Sequence, residues 1–149
     1  MNMYTQYDLE RAIELAIKAH AKQVDKQGYP YILHPLRVMD KAYAKAIATG
    51  HLDPIAIAIS AVLHDVVEDT HVTLSQIRAS FGARVARVVD ILSHKKGLEY
   101  LSYIRYVKLD ADATLIKLED LGDNMARGNK FPSLMTRYEK ATLILNETF

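Results

Sequence analysis

Apolar residues recur at intervals of three and four along most of this 149-residue chain, which is the spacing of one face of an α-helix. No segment shows the strict alternation of apolar and polar residues that a half-buried strand requires. The pattern predicts an all-α fold, a compact multi-helix bundle. The predicted helices cover residues 8–21, 35–49, 74–81, 83–92, 100–107, 110–127 and 132–147, and a further helix starts at Pro54 and carries His64 and Asp65 near its end.

Residues at the edges of these segments support the predicted boundaries. Asp53 and Pro54 are suited to the N-cap and the first position of a helix. Thr73 and Gln76 form a capping box, and Gly82 is expected to break the helix that follows. Only four prolines and six glycines interrupt the chain, which also favours helices.

The bulk composition is that of an ordinary globular protein. Half of the residues are hydrophobic and a quarter are charged, so residues 1–149 are expected to form a single domain with its own core. There is no cysteine, which excludes disulfides, thiolate metal sites and cysteine nucleophiles. A chain without cysteine fits a reducing compartment, and we expect a cytoplasmic location.

Charge and hydropathy exclude several classes of partner. The first eight residues lack the basic and apolar segments of a secretory signal, and no apolar run approaches membrane-spanning length. The net charge is +1 with both signs mixed along the chain, so no concentrated basic face is predicted for duplex nucleic acid. The sequence leaves the oligomeric state open.

A cluster of ionisable residues follows the most apolar predicted helix. Residues 55–63 are almost entirely apolar, and His64, Asp65, Glu68 and Asp69 come directly after them. On one continuous helix these four side chains would form a single polar strip, because residues four apart share a face. A divalent cation would compensate for their burial, since imidazole nitrogens and carboxylate oxygens are its usual ligands. The alternative is a helix end that emerges into solvent.

Two further segments carry side chains suited to the same chemistry. His34 precedes Pro35, which predicts an extended backbone at a helix entrance with the imidazole in a cleft. An ordinary capping histidine is the alternative. Lys117, Asp120 and Asn124 share one helix face and could hold a phosphate, a metal and a ribose or water, or simply form a solvated surface.

The order of these residues resembles a known enzyme family. His34, then His64 with Asp65, then Asp120 is similar to the H…HD…D pattern of the HD-domain metal-dependent phosphohydrolases. Segments 30–35, 64–70 and 117–125 more closely resemble the hydrolase domain of RelA/SpoT-type enzymes and their small stand-alone relatives. Those enzymes remove the 3′-pyrophosphate of the alarmone (p)ppGpp, usually with manganese. The resemblance implies an HD-domain bundle and a guanosine-3′,5′-bis(diphosphate) 3′-pyrophosphohydrolase-like activity that uses Mn²⁺ or another divalent ion.

Roles for individual residues follow from this resemblance. It implies that Glu68 and Asp69 position and deprotonate the attacking water, that Asn124 contacts the substrate sugar and that Lys117 supports the site. The implied metal ligands are His34, His64, Asp65 and Asp120. The candidate substrate-binding residues are Lys26, Tyr31, Lys117, Asn124 and Arg127. The resemblance assigns Lys117 and Asn124, whereas Lys26 and Arg127 are cations that could receive phosphates and Tyr31 lies close to His34 in the sequence.

Side chains outside the motifs carry simpler expectations. Lys22 and Lys130 could receive phosphates, although each is more commonly a solvated surface charge. His20 is expected to pack or to form a hydrogen bond. The histidines expected to be exposed to solvent are His51, His71 and His94.

Two positions depart from the alarmone hydrolase pattern. Asp25 stands where the family has an arginine that packs on the guanine base, and an acid cannot supply that cation–π contact. Arg127 stands near the place of a small hydroxyl residue. One alternative is therefore an HD phosphohydrolase acting on another nucleotide or nucleoside phosphate. A second is a non-catalytic nucleotide-binding sensor, although a pure binder would have no need of the Glu68–Asp69 pair.

Overall fold

The computed structural model describes residues 3–127 and 131–147, so Lys130 lies outside the described residues. Within these ranges the only extended pairing is one isolated backbone bridge between Val24 and Pro30. The predicted all-α architecture is confirmed. The helices are α1 (Gln6–Ala19), α2 (Leu33–Ala48), α3 (Pro54–Val62), α4 (Val66–Asp69), α5 (Leu74–Leu92), α6 (Tyr100–Lys108), α7 (Ala111–Ala126) and α8 (Pro132–Asn146).

Local capping residues begin α3 and α5 where the sequence predicted. Thr73 and Gln76 form both hydrogen bonds of a capping box at the start of α5, and Asp53 caps α3. The predicted break at Gly82 is also confirmed, since its φ of 87° and ψ of 174° are not helical and α5 kinks there. A Cβ atom at this position would lie 3.2 Å from the hydroxyl oxygen of Tyr4, so the kink also allows a close approach.

Helix α3 lies at the centre of the molecule. Its residues from Ala56 to Val62 are all buried, and α1, α2, α5 and α7 pack around it. Ile57 belongs to one apolar cluster and Ile59 to the other, so α3 joins the two halves of the core. Each such side chain contributes about 1.5–3 kcal/mol on burial. The C-terminal end of this helix therefore delivers the residues after Leu63 into the protein interior.

The prediction of one continuous helical strip over residues 64–69 is wrong. Helix α3 ends at Val62 and α4 begins at Val66, with a turn between them. In a continued helix the carbonyl of Ala61 would accept from the N–H of Asp65. Instead it accepts from the backbone N–H of His64 at 3.2 Å and lies 2.6 Å from the Nδ1 of the same residue. The imidazole thus takes the place of the next helical hydrogen bond.

The extended backbone predicted for His34 is also wrong, because His34 is the second residue of α2. Its N–H donates to the carbonyl of Tyr31 at 3.0 Å in a tight turn. The steric preference that Pro35 imposes on its neighbour is modest. It is outweighed here by the buried contacts that both nitrogens of the His34 ring make with carboxylates of α7.

No helix in the described part of the chain combines the length and the apolar character needed to cross a bilayer.

Candidate metal centre

The structure brings together all four predicted metal ligands. His34 lies on α2, His64 and Asp65 lie in the turn between α3 and α4, and Asp120 lies on α7. The Nε2 atom of His34 lies 2.8 Å from Oδ1 of Asp120 and 3.9 Å from Oδ2 of Asp65. The Nε2 atom of His64 lies 3.1 Å from the same Asp65 oxygen and 3.4 Å from the same Asp120 oxygen. Two imidazole nitrogens and two carboxylate oxygens therefore face one another across a space of a few ångströms.

His64 shows most directly that this donor set fits a cation. Its side chain is 2 % exposed, and its Nε2 atom is buried without a well-formed hydrogen bond to any described residue, although it lies 3.1 Å from Oδ2 of Asp65. The carbonyl of Ala61 accepts from Nδ1 at 2.6 Å, which leaves the Nε2 lone pair directed away from the backbone. A buried polar atom without a partner costs about 1–3 kcal/mol. Mixed nitrogen and oxygen ligands of this kind suit a divalent metal ion, which would satisfy that atom.

Without a cation, the carboxylates of the cluster favour protonation of the His34 and His64 imidazoles. Burial lowers the pKa of His64, but the carboxylates of Asp65 and Asp120 outweigh burial and hold it well above its usual value. The pKa of His34 is raised in the same way, against burial, by its contact with Asp120. Burial raises the pKa of Asp120, but Lys117 and His64 outweigh burial and hold it well below its usual range. The carboxylates thus remain ionised and ready to bind positive charge.

The metal-free protein is expected to lose stability as the pH rises through the raised pKa values of His34 and His64. Below about pH 6.5 both the folded and the unfolded chain hold these protons, and the stabilisation is fully present. It is lost as the pH passes the folded-state values. A cation needs neutral imidazoles, so the increase in melting temperature that it causes should grow over the same range.

Thermal denaturation with a chelator and with saturating Mn²⁺, from about pH 6 to pH 9, measures both trends. A melting temperature of the chelated protein that does not fall across this interval would contradict the assigned charges. A Mn²⁺-induced shift that shrinks with pH would contradict binding at the imidazoles.

Three predicted substrate-binding residues contact the candidate metal ligands themselves. The hydroxyl of Tyr31 donates to Oδ2 of Asp65 at 2.5 Å. The ammonium of Lys117 lies 2.8 Å from Oδ2 of Asp120, and the Asn124 amide donates to Oδ1 of Asp120 at 3.5 Å. Burial lowers the pKa of Lys117, but the charge of Asp120 outweighs burial and raises it well above its usual value. These side chains therefore hold the two carboxylates in place.

Glu68 and Asp69 lie on α4 at the exposed edge of the cluster. Partial burial of its carboxyl group, followed by the charges of Asp65 and Glu68, raises the pKa of Asp69 to about 6. A carboxylate that titrates near neutrality is well suited to accept a proton from water. The carboxylate of Glu68 accepts from the backbone N–H of His94 at 2.7 Å, which fixes it against the loop after α5.

The remaining predicted substrate contacts lie on the segment between α1 and α2 and at the end of α7. Asp25 accepts from two backbone N–H groups of its own turn, at 2.8 and 3.0 Å, and forms an ion pair with Arg127. The ammonium of Lys26, which is exposed, lies 5.5 Å from the centroid of the Phe131 ring. The two positions that depart from the alarmone hydrolase pattern are therefore in direct contact with each other.

Sequence reasoning missed a buried carboxylate beside the cluster. Asp123 is 2 % exposed and lies 2.7 Å from Nδ1 of His34. It also accepts from Nε of Arg37 at 2.8 Å. Burial raises the pKa of Asp123, but these hydrogen bonds outweigh burial and the net shift is downward. Its position three residues after Asp120, on the same face of α7, was the available signal.

The histidines outside the cluster differ from their predictions in part. His20 forms the expected hydrogen bond, with Nδ1 2.8 Å from Oε1 of Gln23. His71 is exposed as predicted. The prediction of exposure is wrong for His51, whose Nε2 lies 2.8 Å from a carboxylate oxygen of Asp112. It is also wrong for His94, which is half-buried and stacks on a tyrosine of α6 with ring centroids 4.6 Å apart.

Comparison with known proteins identifies relatives over most of the chain. The guanosine-3′,5′-bis(diphosphate) 3′-pyrophosphohydrolase of Haemophilus influenzae is 37% identical over 141 residues, which cover 87% of this chain and 20% of that protein. The protein of the same name from Aquifex aeolicus is 37% identical over 126 residues, covering 79% of this chain and 17% of that protein. The chain thus spans about a fifth of the length of these curated relatives.

A solved structure shares the fold. It is described as a metazoan ortholog of SpoT that hydrolyzes ppGpp, and it matches with a TM-score of 0.75 and 24% sequence identity, over 99% of this chain and 90% of that one. The family model of the HD domain matches residues 12–119, a range that contains every helix from α2 to α6. Three of the four candidate ligands, His34, His64 and Asp65, lie within this range, and Asp120 directly follows it. The chain belongs to the HD-domain family.

Proposed function

We propose that this protein is a divalent-metal-dependent HD phosphohydrolase that removes the 3′-pyrophosphate from (p)ppGpp. The observation that carries the proposal is the buried Nε2 of His64, which has no hydrogen bond within the described part of the chain and lies among ionised carboxylates, near Asp69, whose pKa is raised to about 6. Two relatives that carry the name of this activity support the substrate. We also propose that residues 1–149 act as one HD phosphohydrolase domain, and that the absence of cysteine reflects a cytoplasmic location.

The proposed metal ion is Mn²⁺. It would be held by His34, His64, Asp65 and Asp120, whose two nitrogens and two oxygens leave coordination positions open on an octahedral ion. When bound, a divalent ion supplies Lewis acidity, because it neutralises charge on the phosphoryl group and makes water more acidic.

The protein's own acids complete the proposed hydrolysis. The carboxylate of Asp69 accepts a proton from the attacking water as the water oxygen bonds to the phosphorus next to the 3′ oxygen. The bond from that phosphorus to the 3′ oxygen breaks with its electron pair on that oxygen, which takes up a proton from solvent, and pyrophosphate and GDP or GTP are the products. Glu68 is held by the N–H of His94 and orients the water.

Substrate contacts are proposed around this centre. Asn124 contacts the sugar, while Lys26 and Arg127 lie on the segments that border the site and offer positive charge to phosphates. Lys117 and Tyr31 act mainly on the carboxylates of Asp120 and Asp65, which they hold by direct contact. The proposed partner is thus a nucleotide rather than duplex nucleic acid.

The direct test is incubation of the purified protein with Mn²⁺ and ppGpp, together with a panel of other nucleotides, and quantification of GDP and pyrophosphate. Turnover that disappears with a chelator and returns with Mn²⁺ is the expected result. If nucleotide binds but nothing in the panel is turned over with metal bound, the enzyme proposal fails and the sensor alternative is favoured.

Replacement of Asp69 by asparagine is expected to lower kcat by about 10²- to 10⁴-fold, the usual contribution of a general base. The affinity for Mn²⁺ should change little, because Asp69 lies at the edge of the cluster. Steady-state kinetics and Mn²⁺ titration of the variant measure the two effects separately. Asp90→Asn is a suitable control, since Asp90 pairs with Lys95 at 2.6 Å on the surface. Equal loss of activity in both variants would contradict the role of Asp69.

The Asp25–Arg127 ion pair favours a second candidate, an HD phosphohydrolase that acts on a different nucleotide. The Asp25 side chain is only 10% exposed, and its carboxylate is occupied by Arg127 and by its own turn. Neither charge is therefore free to move without breaking a contact between the α1–α2 segment and the end of α7. A cation–π contact with guanine from this position is replaced by an internal ion pair.

The double variant Asp25→Arg/Arg127→Thr tests this second candidate. If position 25 faces the base, the new arginine should lower KM for ppGpp by about 2- to 30-fold, the range that a cation–π contact supplies. Asp25→Arg alone is the control, since it brings two guanidinium groups together and should not show this gain. A wild-type preference for another nucleotide over ppGpp, with no gain in the double variant, would support the second candidate.

A further inference from the structure

Both ring nitrogens of His34 face carboxylates of the same helix. Nε2 lies 2.8 Å from Asp120, within the candidate metal cluster, and Nδ1 lies 2.7 Å from Asp123, on the opposite edge of the ring. Asp120 and Asp123 are three residues apart on α7, so two carboxylates on one face of this helix contact the two nitrogens of the imidazole. His34 cannot rotate without losing one of these contacts.

Asp123 is itself held by two cations of α2. Its Oδ1 accepts from Nε of Arg37 at 2.8 Å, its Oδ2 accepts from Nη2 of Arg37 at 3.1 Å, and the ammonium of Lys41 lies 3.3 Å from Oδ1. Arg37 and Lys41 follow His34 by three and seven residues, so all three side chains share one face of α2. A fork-shaped guanidinium contact of this kind fixes both the charge and the orientation of a carboxylate.

We propose that Asp123, anchored by Arg37 and Lys41, is a positioning residue that fixes the His34 tautomer in which Nε2 is available to a metal ion. Both carboxylates only accept hydrogen bonds, but Asp123 is fixed by Arg37 and Lys41, whereas Asp120 belongs to the proposed ligand set, so in the neutral ring the hydrogen is expected on Nδ1, facing Asp123. Nε2 is then the nitrogen left for a ligand. This inference rests on the proposed metal-dependent function and assigns a role to a residue outside the ligand set.

A different group, a backbone carbonyl, orients the second imidazole of the cluster, that of His64, so that its Nε2 also faces the cluster. Nδ1 of His64 lies 2.6 Å from the backbone carbonyl of Ala61, which also accepts only. Both histidines therefore present Nε2 to the cluster, one through a backbone carbonyl and the other through Asp123. Partners of this kind typically contribute about 10- to 100-fold to metal affinity. The carbonyl cannot be removed by a side-chain substitution, whereas Asp123 can.

Asp123→Asn tests the proposal, and Asp112→Asn is its matched control. Asp112 lies on the same helix and also contacts a histidine and an arginine, with Nε2 of His51 at 2.8 Å and Nη2 of Arg84 at 3.3 Å. Calorimetric titration with Mn²⁺ alone, without nucleotide, is expected to show a Kd about 10- to 100-fold higher in Asp123→Asn. The Kd of Asp112→Asn should equal that of the wild type, even though both substitutions remove a partly buried charge.

The tautomer is read directly by nitrogen–proton correlation NMR of the histidine rings in the metal-free proteins, above the pH at which both histidines titrate. The wild type and Asp112→Asn should show His34 with its hydrogen on Nδ1, and Asp123→Asn should show a mixture. If Asp123→Asn does not fold, Arg37→Met should show the same two changes to a smaller degree, because Lys41 remains.

Wild-type Mn²⁺ affinity and an unchanged His34 tautomer in Asp123→Asn would overturn the positioning role and leave the proposed function standing. Absence of Mn²⁺ binding by the wild type would overturn the proposed function instead. The tautomer measurement needs no metal, so it still decides the role of Asp123 in that case.

Discussion

Replacement of Asp65 by asparagine is expected to lower the turnover of ppGpp by about three orders of magnitude, since a catalytic metal contributes several kcal/mol and about 1.4 kcal/mol corresponds to a factor of ten. Oδ2 of Asp65 lies 3.1 Å from Nε2 of His64 and accepts from the Tyr31 hydroxyl at 2.5 Å. An amide would keep the shape of this side chain but would remove its charge. With 17% of its side chain exposed, Asp65 is also the candidate ligand whose replacement disturbs the core least.

The measurement that distinguishes a ligand from a merely structural residue is activity as a function of Mn²⁺ concentration. Asp65→Asn should need more Mn²⁺ and should remain slow at saturation, whereas Asp112→Asn should match the wild type. If Asp65→Asn retains turnover and metal affinity within a few-fold of the wild type, Asp65 is not a ligand. The site would then be reduced to His34, His64 and Asp120, whose ligand atoms lie within 4.8 Å of one another.

The helices could be predicted from the sequence because their signals are local. The capping box of Thr73 and Gln76 and the helix break at Gly82 depend on residues within a single turn, and both predictions hold in the structure. The end of α3 could not be predicted in this way. It depends on the His64 imidazole taking the Ala61 carbonyl, which occurs because the surrounding core buries that ring.

The candidate site could be predicted only because its motifs resemble those of a family. His34 and Asp120 are 86 residues apart, and neither periodicity nor composition indicates that they meet. Where the resemblance said nothing, the predictions missed contacts of the same kind. His34 meets Asp123 across 89 residues and His51 meets Asp112 across 61, and these pairings depend on how α2, α7 and the loop before α3 pack. The Asp25–Arg127 pair similarly joins two departures that the sequence presented separately.

Replacement of Lys117 by methionine is expected to destabilise the metal-free protein by about 3 kcal/mol, the lower end of the range for breaking a buried ion pair from one side. The Lys117 ammonium lies 2.8 Å from Asp120, and both side chains are nearly buried, at 13% and 7% exposure. Methionine fills similar space but leaves the Asp120 carboxylate with the imidazoles of His34 and His64 as its counter-charges among the described residues. For a chain of this size the melting temperature should fall by about 10 °C.

Two controls show whether this loss comes from the unpaired carboxylate. Lys18→Met removes an exposed partner of Glu14, at 3.1 Å, and should change stability by less than about 1 kcal/mol. Saturating Mn²⁺ should raise the melting temperature of Lys117→Met more than that of the wild type, because a cation would replace the missing charge beside Asp120. An unchanged melting temperature in metal-free Lys117→Met would mean that His34 and His64 alone compensate Asp120.

The double variant Lys117→Met/Asp120→Leu separates stability from function at this position. Replacement of a buried ion pair by apolar residues of similar volume is often neutral or stabilising, so the double variant should recover most of the stability that Lys117→Met loses. It should also be inactive and insensitive to Mn²⁺, since one candidate ligand is gone. Recovery of stability together with loss of the metal response would indicate that the buried charges of this centre are retained for binding a cation, at a cost to the stability of the bundle that holds them.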